Sequence, residues 1–262
     1  MKPLPHFLLF FAFTSLLISG FSSAEGAGTQ DNTGIEEKLG QRIPLDASFR
    51  NEEGKEVLLK EVMGKPTIVS LVYLSCPHTC PLLLGGLAEV LGRLELKPLK
   101  DYSVLTISFD EEDTPDIARD KKKNYLQAIN TPFPESAWRF FTGDRENIKK
   151  FTDAVGFNFR REESGFAHPV ALIILSPDGR IVRYLYGRTF LPFDLSMAIT
   201  EADKGKIGLS RGVLLYCFIY DQPGKRYVFN ILKVFGTVMI VSLVSFFLYL
   251  TVTGRRSRGG TK

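Results

Sequence analysis

The sequence predicts an α/β fold, a central mixed β-sheet flanked by helices, and three observations predict it. Apolar runs rich in β-branched and aromatic residues recur without strict alternation, as in strands covered on both faces. Segments of helical spacing lie between them. A turn signature then joins the last two apolar runs as an antiparallel hairpin.

The first run is Thr67-Ile68-Val69-Ser70-Leu71-Val72-Tyr73-Leu74. A helix is predicted from Pro81 to Leu94, where apolar residues recur at helical spacing. Ser103-Val104-Leu105-Thr106-Ile107-Ser108-Phe109 is the second strand. Asp113-Thr114-Pro115-Asp116 supplies a capping candidate, a proline and acidic residues before a helix running towards Ile129. Asp144 caps another through Val155. Val170-Ala171-Leu172-Ile173-Ile174-Leu175 is the third strand, and Ser176-Pro177-Asp178-Gly179-Arg180 turns the chain back along Ile181–Tyr186. Strand, helix, strand, helix, helix, hairpin is the order of an α/β sandwich.

Both ends point to export. Met1-Lys2, an apolar run from Phe7 to Ile18, and small residues at Ser22 and Ala24 form a secretory signal over residues 1–24, cleaved after Ala24 or kept as an anchor. Residues 231–253 are apolar apart from Lys233 and a few Ser, Thr and Gly. That length crosses a hydrocarbon core of ~30 Å, so one C-terminal transmembrane helix is expected. The basic tail, 254–262, follows and is expected to stay cytoplasmic. The remainder divides into a linker at 25–40, a domain at 41–205 and a juxtamembrane segment at 206–230. Those roughly 205 residues suffice for one good core.

Composition excludes several classes. The chain is 24% charged and 44% hydrophobic, which argues against disorder and low-complexity polymers. Its net charge of +4 is matched by Arg255, Arg256, Arg258 and Lys262, so residues 1–254 sum to about zero. A nucleic-acid partner has no basic excess to bind on the body. Three cysteines are too few for a stapled scaffold and read as chemistry.

Cys76-Pro77-His78-Thr79-Cys80-Pro81 lies where the first strand gives way to the first helix. A four-residue spacing at a helix start brings both sulfurs to one side. The helix N-terminus favours thiolate, the species that binds metal or attacks a disulfide. Two intervening residues would mark a thioredoxin-type oxidoreductase, and Cys-x-x-Cys-His covalent haem; neither is present. The wider pair suits a metal held between two sulfurs, with copper and zinc both compatible. Two histidines remain as a third donor in the mature chain: His78 inside the loop, and His168 in Gly165-Phe166-Ala167-His168-Pro169.

Val72-Tyr73-Leu74-Ser75-Cys76-x-x-x-Cys80-Pro81, Thr106-Ile107-Ser108-Phe109-Asp110-x-x-Asp113-Thr114-Pro115, Phe141-Thr142-Gly143-Asp144, Ala167-His168-Pro169 and Ser176-Pro177-Asp178-Gly179-Arg180 occur in that order. Together they resemble the Sco/SenC family from about Ile43 to Ala202. The resemblance implies a thioredoxin-like fold, copper held by Cys76, Cys80 and His168, and a role in assembling the copper centre of a respiratory haem–copper oxidase. The implied partners are that oxidase's copper-site subunit and a thiol reductant or copper donor protein.

The C-terminal anchor departs from the better-known N-terminally anchored members and resembles a bacterial branch. That branch implies a bacterial inner-membrane protein with its domain on the periplasmic side. It often carries Cys-x-His-Tyr-Asp before the anchor. Here Cys217-Phe218-Ile219-Tyr220-Asp221 has Ile219 in place of the histidine, so Cys217 reads as a free or packed thiol.

Two other functions remain in view. One is a thiol-disulfide reductase using Cys76 and Cys80 without a metal, and the other an interaction module with a static disulfide. The acidic run Asp110–Asp113 reads as a solvated loop, and Lys121-Lys122-Lys123 as a solvated helix face. Trp138, Phe140 and Phe141 are core candidates.

Overall fold

The computed structural model describes residues 33–206, 218–221, 226–229, 235–246 and 249. Among the described residues a seven-stranded sheet and four helices position the site, and short strands fill in around them. The chain runs β1 (Gly34–Ile35), β2 (Ser48–Asn51), β3 (Glu56–Leu58), β4 (Thr67–Val72), α1 (Thr79–Leu91), β5 (Ser103–Ser108) and α2 (Pro115–Gln127). It continues through β6 (Trp138–Thr142), α3 (Arg145–Ala154), β7 (Phe157–Asn158), β8 (Arg160–Glu162), β9 (Gly165–Ala167), β10 (Ala171–Leu175), β11 (Ile181–Tyr186) and α4 (Pro192–Asp203). Two further strands, β12 (Phe218–Asp221) and β13 (Arg226–Phe229), pair antiparallel with each other.

The main sheet has the order β11-β10-β4-β5-β6-β2-β3. β4, β5 and β6 are parallel, and the strands on both sides of them run antiparallel, so the sheet is mixed as predicted. All six residues of β4 and all five of β10 are buried, which accounts for their unbroken apolar composition. The Ser70 and Thr106 hydroxyls within this core satisfy one another. Ser70 Oγ and Thr106 Oγ1 lie 2.8 Å apart, and Trp138 Nε1–H donates to Thr106 Oγ1 at 2.8 Å.

The helices follow their caps. Thr114 accepts from the Ile117 N–H, with Pro115 opening α2. Asp144 accepts from the Asn147 N–H at 2.8 Å at the start of α3. In α1 the buried face comprises Cys80, Leu83, Leu84, Leu87, Ala88, Val90 and Leu91, and the helix ends three residues before the predicted Leu94. Gly86 is required there: a Cβ would fall 1.9 Å from the Arg188 carbonyl oxygen. Trp138, Phe140 and Phe141 are buried core residues.

Three expectations need correction. Asp110 and Asp113 are buried rather than solvated, because both turn inward to main-chain and side-chain donors. Lys122 is not on a solvated face: its ammonium pairs with the buried Glu52 carboxylate, which also accepts the Phe140 N–H at 3.2 Å. Within the expected linker, β1 pairs with β7, and Ile35 packs against the core.

The signal segment 1–24 and Cys217 lie outside the described residues. Of the expected membrane span, residues 235–246 and 249 are helical, and Phe235, Met239 and Val244 are exposed. Among the described residues no helix is long and apolar enough to cross a membrane.

Candidate metal centre

The cysteine side of the site grows from the end of β4. After Val72 the chain makes a tight turn in which the Cys76 N–H donates to the Tyr73 carbonyl at 3.1 Å. The turn is braced from β5. Asp113 Oδ2 accepts the Leu74 N–H at 2.6 Å and the Ser108 hydroxyl at 2.6 Å. Burial pushes the Asp113 carboxyl upward despite these donors. α1 then starts at Thr79, so Cys80 is its second residue and Cys76 precedes it. The Cys80 N–H, one of the unpaired donors of a helix start, points at Cys76 Sγ at 3.4 Å.

The two thiols differ. Burial raises that of Cys76, but the Tyr73 hydroxyl and the main-chain N–H groups of Cys80 and His78 outweigh it, and the net shift is downward. Cys80 is pushed well up, chiefly by burial. The expected stabilisation of thiolate at the helix start therefore holds for Cys76 alone. Cys80 lies deeper, where desolvation wins over the helix dipole. Both are free thiols, only 4% and 2% exposed.

The histidine side comes from the other end of the chain. β8 and β9 form a hairpin that leads into His168 and Pro169, ahead of β10. β10 lies beside β4 and runs antiparallel to it, with Leu172 opposite Ser70. The beginning of β10 therefore sits at the end of β4, and this is what carries His168 to the cysteines. The antiparallel pairing achieves the placement.

His168 Nδ1–H donates to the Pro169 carbonyl at 2.9 Å, which leaves the Nε2 lone pair facing Cys80 Sγ at 3.7 Å. Rings of Phe109, Tyr73 and Phe157 surround the imidazole, with centroids at 5.3, 5.7 and 6.4 Å. Burial holds its pKa below the free value, so the ring is neutral and able to ligate near neutral pH.

The structure brings Cys76, Cys80 and His168 together: one donor atom from each lies within 4.8 Å of the others. Ligands bonded at roughly 2.0–2.3 Å to one ion span distances of this kind. Two sulfurs and one imidazole nitrogen form a soft to borderline set suited to copper or zinc. His78 is exposed in the loop and stands outside this group.

Sequence reasoning missed the supporting shell. Arg161 Nη2–H donates to the Asp110 carboxylate at 2.9 Å, and its guanidinium lies 4.6 Å from the Phe166 ring centroid. Arg161 thereby holds the hairpin against the loop after β5. The acids Asp110 and Asp113, three residues apart just after an apolar strand, were the signal that could have found this.

Comparison with known proteins agrees with this geometry. The sequence profile of the SCO1/SenC family matches residues 37–201. The SCO1 protein homolog of Bacillus subtilis (strain 168) is 23% identical over 154 residues, covering 56% of this chain and 75% of that protein. The crystal structure of a candidate electron transfer protein from Aquifex aeolicus VF5 superposes with a TM-score of 0.58 at 30% identity. That match covers 66% of this chain and 98% of the other. Arabidopsis thaliana ScoI, solved with copper bound, shares the thioredoxin-like α/β fold with a TM-score of 0.51 at 23% identity, covering 64% and 99% of the two chains.

Proposed function

The chain belongs to the SCO1/SenC family, and from that premise we propose that it binds copper and serves the assembly of a respiratory haem–copper oxidase. Copper is its cargo in this reading, held by Cys76, Cys80 and His168. The convergence of these three donors, from the two ends of paired strands, carries the proposal. Two thiolates give affinity for Cu(I), and the imidazole adds the nitrogen that Cu(II) prefers. The protein's own contribution is positional. The Pro169 carbonyl fixes the imidazole tautomer, Asp113 holds the cysteine turn, and the surrounding rings keep water from the donors.

The compartment belongs to the same proposal. A signal at 1–24 and an apolar stretch at 231–253 support a bacterial protein tethered to the inner membrane, with its domain on the periplasmic side.

A second reading is favoured by the inequality of the thiols. The Cys76 thiolate, held down by donors, suits attack on a client disulfide. The sulfur bond formed with Cys76 would then be displaced by Cys80. The client leaves as a dithiol, and its two electrons come from the Cys76–Cys80 pair, which closes as a disulfide.

Copper titration of the reduced protein separates the two. About one tightly bound copper per chain, with sulfur-to-copper charge-transfer absorption, is expected for the wild type. Cys76→Ser or Cys80→Ser abolishes tight binding of both oxidation states. His168→Ala lowers Cu(II) affinity far more than Cu(I) affinity, while His78→Ala changes neither. Thiol exchange without copper binding would leave the reductase reading standing instead.

A further inference from the structure

Tyr73 touches both halves of the site, and the function proposed above gives its hydroxyl no part. It is only 7% exposed. Its main chain serves the cysteine side: the carbonyl accepts the Cys76 N–H at 3.1 Å. Its side chain serves the histidine side. The ring centroid lies 5.1 Å from that of Phe166 and 5.7 Å from that of His168, the imidazole meeting it edge-on at 89°.

The hydroxyl sits at the junction. It helps draw the Cys76 thiol down on one side and abuts the hairpin at Gly165 on the other. Gly165 makes room for it: a Cβ there would stand 2.7 Å from Tyr73 Oη, and the residue's φ of +127° is one that side-chain-bearing residues avoid.

This junction matters because the other contacts of the hairpin, Phe166 against Phe109 and Arg161 against Asp110, reach the loop after β5 rather than the cysteine turn. β8 and β9 are three residues each, and every residue of β8 is exposed. A two-stranded hairpin of that size is marginal on its own. Arg161 secures it to Asp110 at one point, and Tyr73 is the contact that refers it directly to the sulfurs.

We propose that Tyr73 is a positioning residue whose hydroxyl ties the His168-bearing hairpin to the cysteine turn and so sets the separation between imidazole and sulfurs. The identity of the bound ion rests on the copper reading; the tie itself does not. Because two thiolates suffice for Cu(I) whereas Cu(II) prefers nitrogen donors as well, a displaced hairpin penalises Cu(II) selectively.

The test uses Tyr73→Phe, which keeps the ring and removes the hydroxyl, together with Gly165→Ala and the double variant. Loss of a hydrogen bond of ordinary net strength corresponds to about a tenfold change in an equilibrium. Tyr73→Phe is therefore expected to lower Cu(II) affinity about tenfold and Cu(I) affinity less than about threefold. The sulfur-to-Cu(II) absorption band should shift. In the metal-free protein, amide exchange should accelerate over residues 160–168 and stay unchanged in β4 and β5.

Gly165→Ala drives a methyl group against the hydroxyl, and the double variant should lose less than the sum of the single losses. Equal losses for Cu(I) and Cu(II), unchanged hairpin exchange, or strict additivity would each overturn the proposal. If the wild type binds no copper, the copper reading falls, while hairpin exchange in the metal-free variants still decides the role of Tyr73.

Discussion

Asp113 offers a quantitative check on how the cysteine turn is held. Its carboxylate accepts two hydrogen bonds of 2.6 Å in a buried setting, from the Leu74 N–H and the Ser108 hydroxyl. In Asp113→Ala the Ser108 hydroxyl can turn to the Asp110 carbonyl, which already lies 3.5 Å away. The Leu74 N–H has no such alternative and is left buried. An orphaned buried donor costs ~1–3 kcal/mol and a weakened hydroxyl bond ~1 kcal/mol, so Asp113→Ala should lose about 2–4 kcal/mol.

Asp113→Asn keeps an acceptor at the same place and sheds the desolvated charge, so its loss should stay within about 1 kcal/mol. The sign with pH follows from the raised folded pKa. The native state holds this proton more tightly than the unfolded chain. The stability that Asp113 contributes is complete below the free carboxyl value and is lost as pH rises through the folded value. Urea unfolding at constant m-value, for both variants across that range, measures it. An Asp113→Ala loss below about 0.5 kcal/mol, or a larger loss in Asn than in Ala, would refute the bracing role assigned to this carboxylate.

Two further outcomes are expected. Lys122→Met leaves the Glu52 carboxylate buried beside the Phe140 N–H without its cation and should cost about 3–5 kcal/mol in urea unfolding, partly restored by adding Glu52→Gln. The folded His168 pKa is below the free value, so the stability it contributes is complete above the free-imidazole pKa and is lost as pH falls towards the folded value. His168→Ala should flatten that part of the stability profile, and proton competition with Cu(II) should set in at lower pH than for a free imidazole.

What the chain disclosed in advance tracks how local the cause is. β4, β5 and β10 were legible because burial on both faces leaves an unbroken apolar signature. The β10–β11 hairpin was legible from its turn residues, and the sulfur pair from its spacing at a helix start. His168 was not legible from its own neighbourhood, since a histidine before a proline is ordinary; only the family resemblance pointed to it. Its placement depends on which strand β10 chooses as a neighbour, a decision made across the whole sheet. The inward turns of Asp113 and Lys122 failed for the same reason. A charged residue reveals its partner only when that partner is close in sequence, and Glu52 stands 70 residues from Lys122.

The antiparallel pairing of β10 with β4 also makes the donor set depend on folding order. Cys80 and His168 are 88 residues apart in the chain, so an unfolded or emerging polypeptide offers the dithiol with only the intervening His78 beside it, and without His168. Closing a flexible loop of that length costs several kcal/mol of chain entropy, roughly (3/2)RT ln 88 ≈ 4 kcal/mol before any constant, and the sheet has to meet this first. An ion bridging the two ends afterwards acts as a clip across the longest connection in the site and raises the unfolding temperature as its free concentration climbs above the dissociation constant. Loading and unfolding are thereby opposed: a chain that has released its ion has also released a cross-link between the two strand ends that carry its donors.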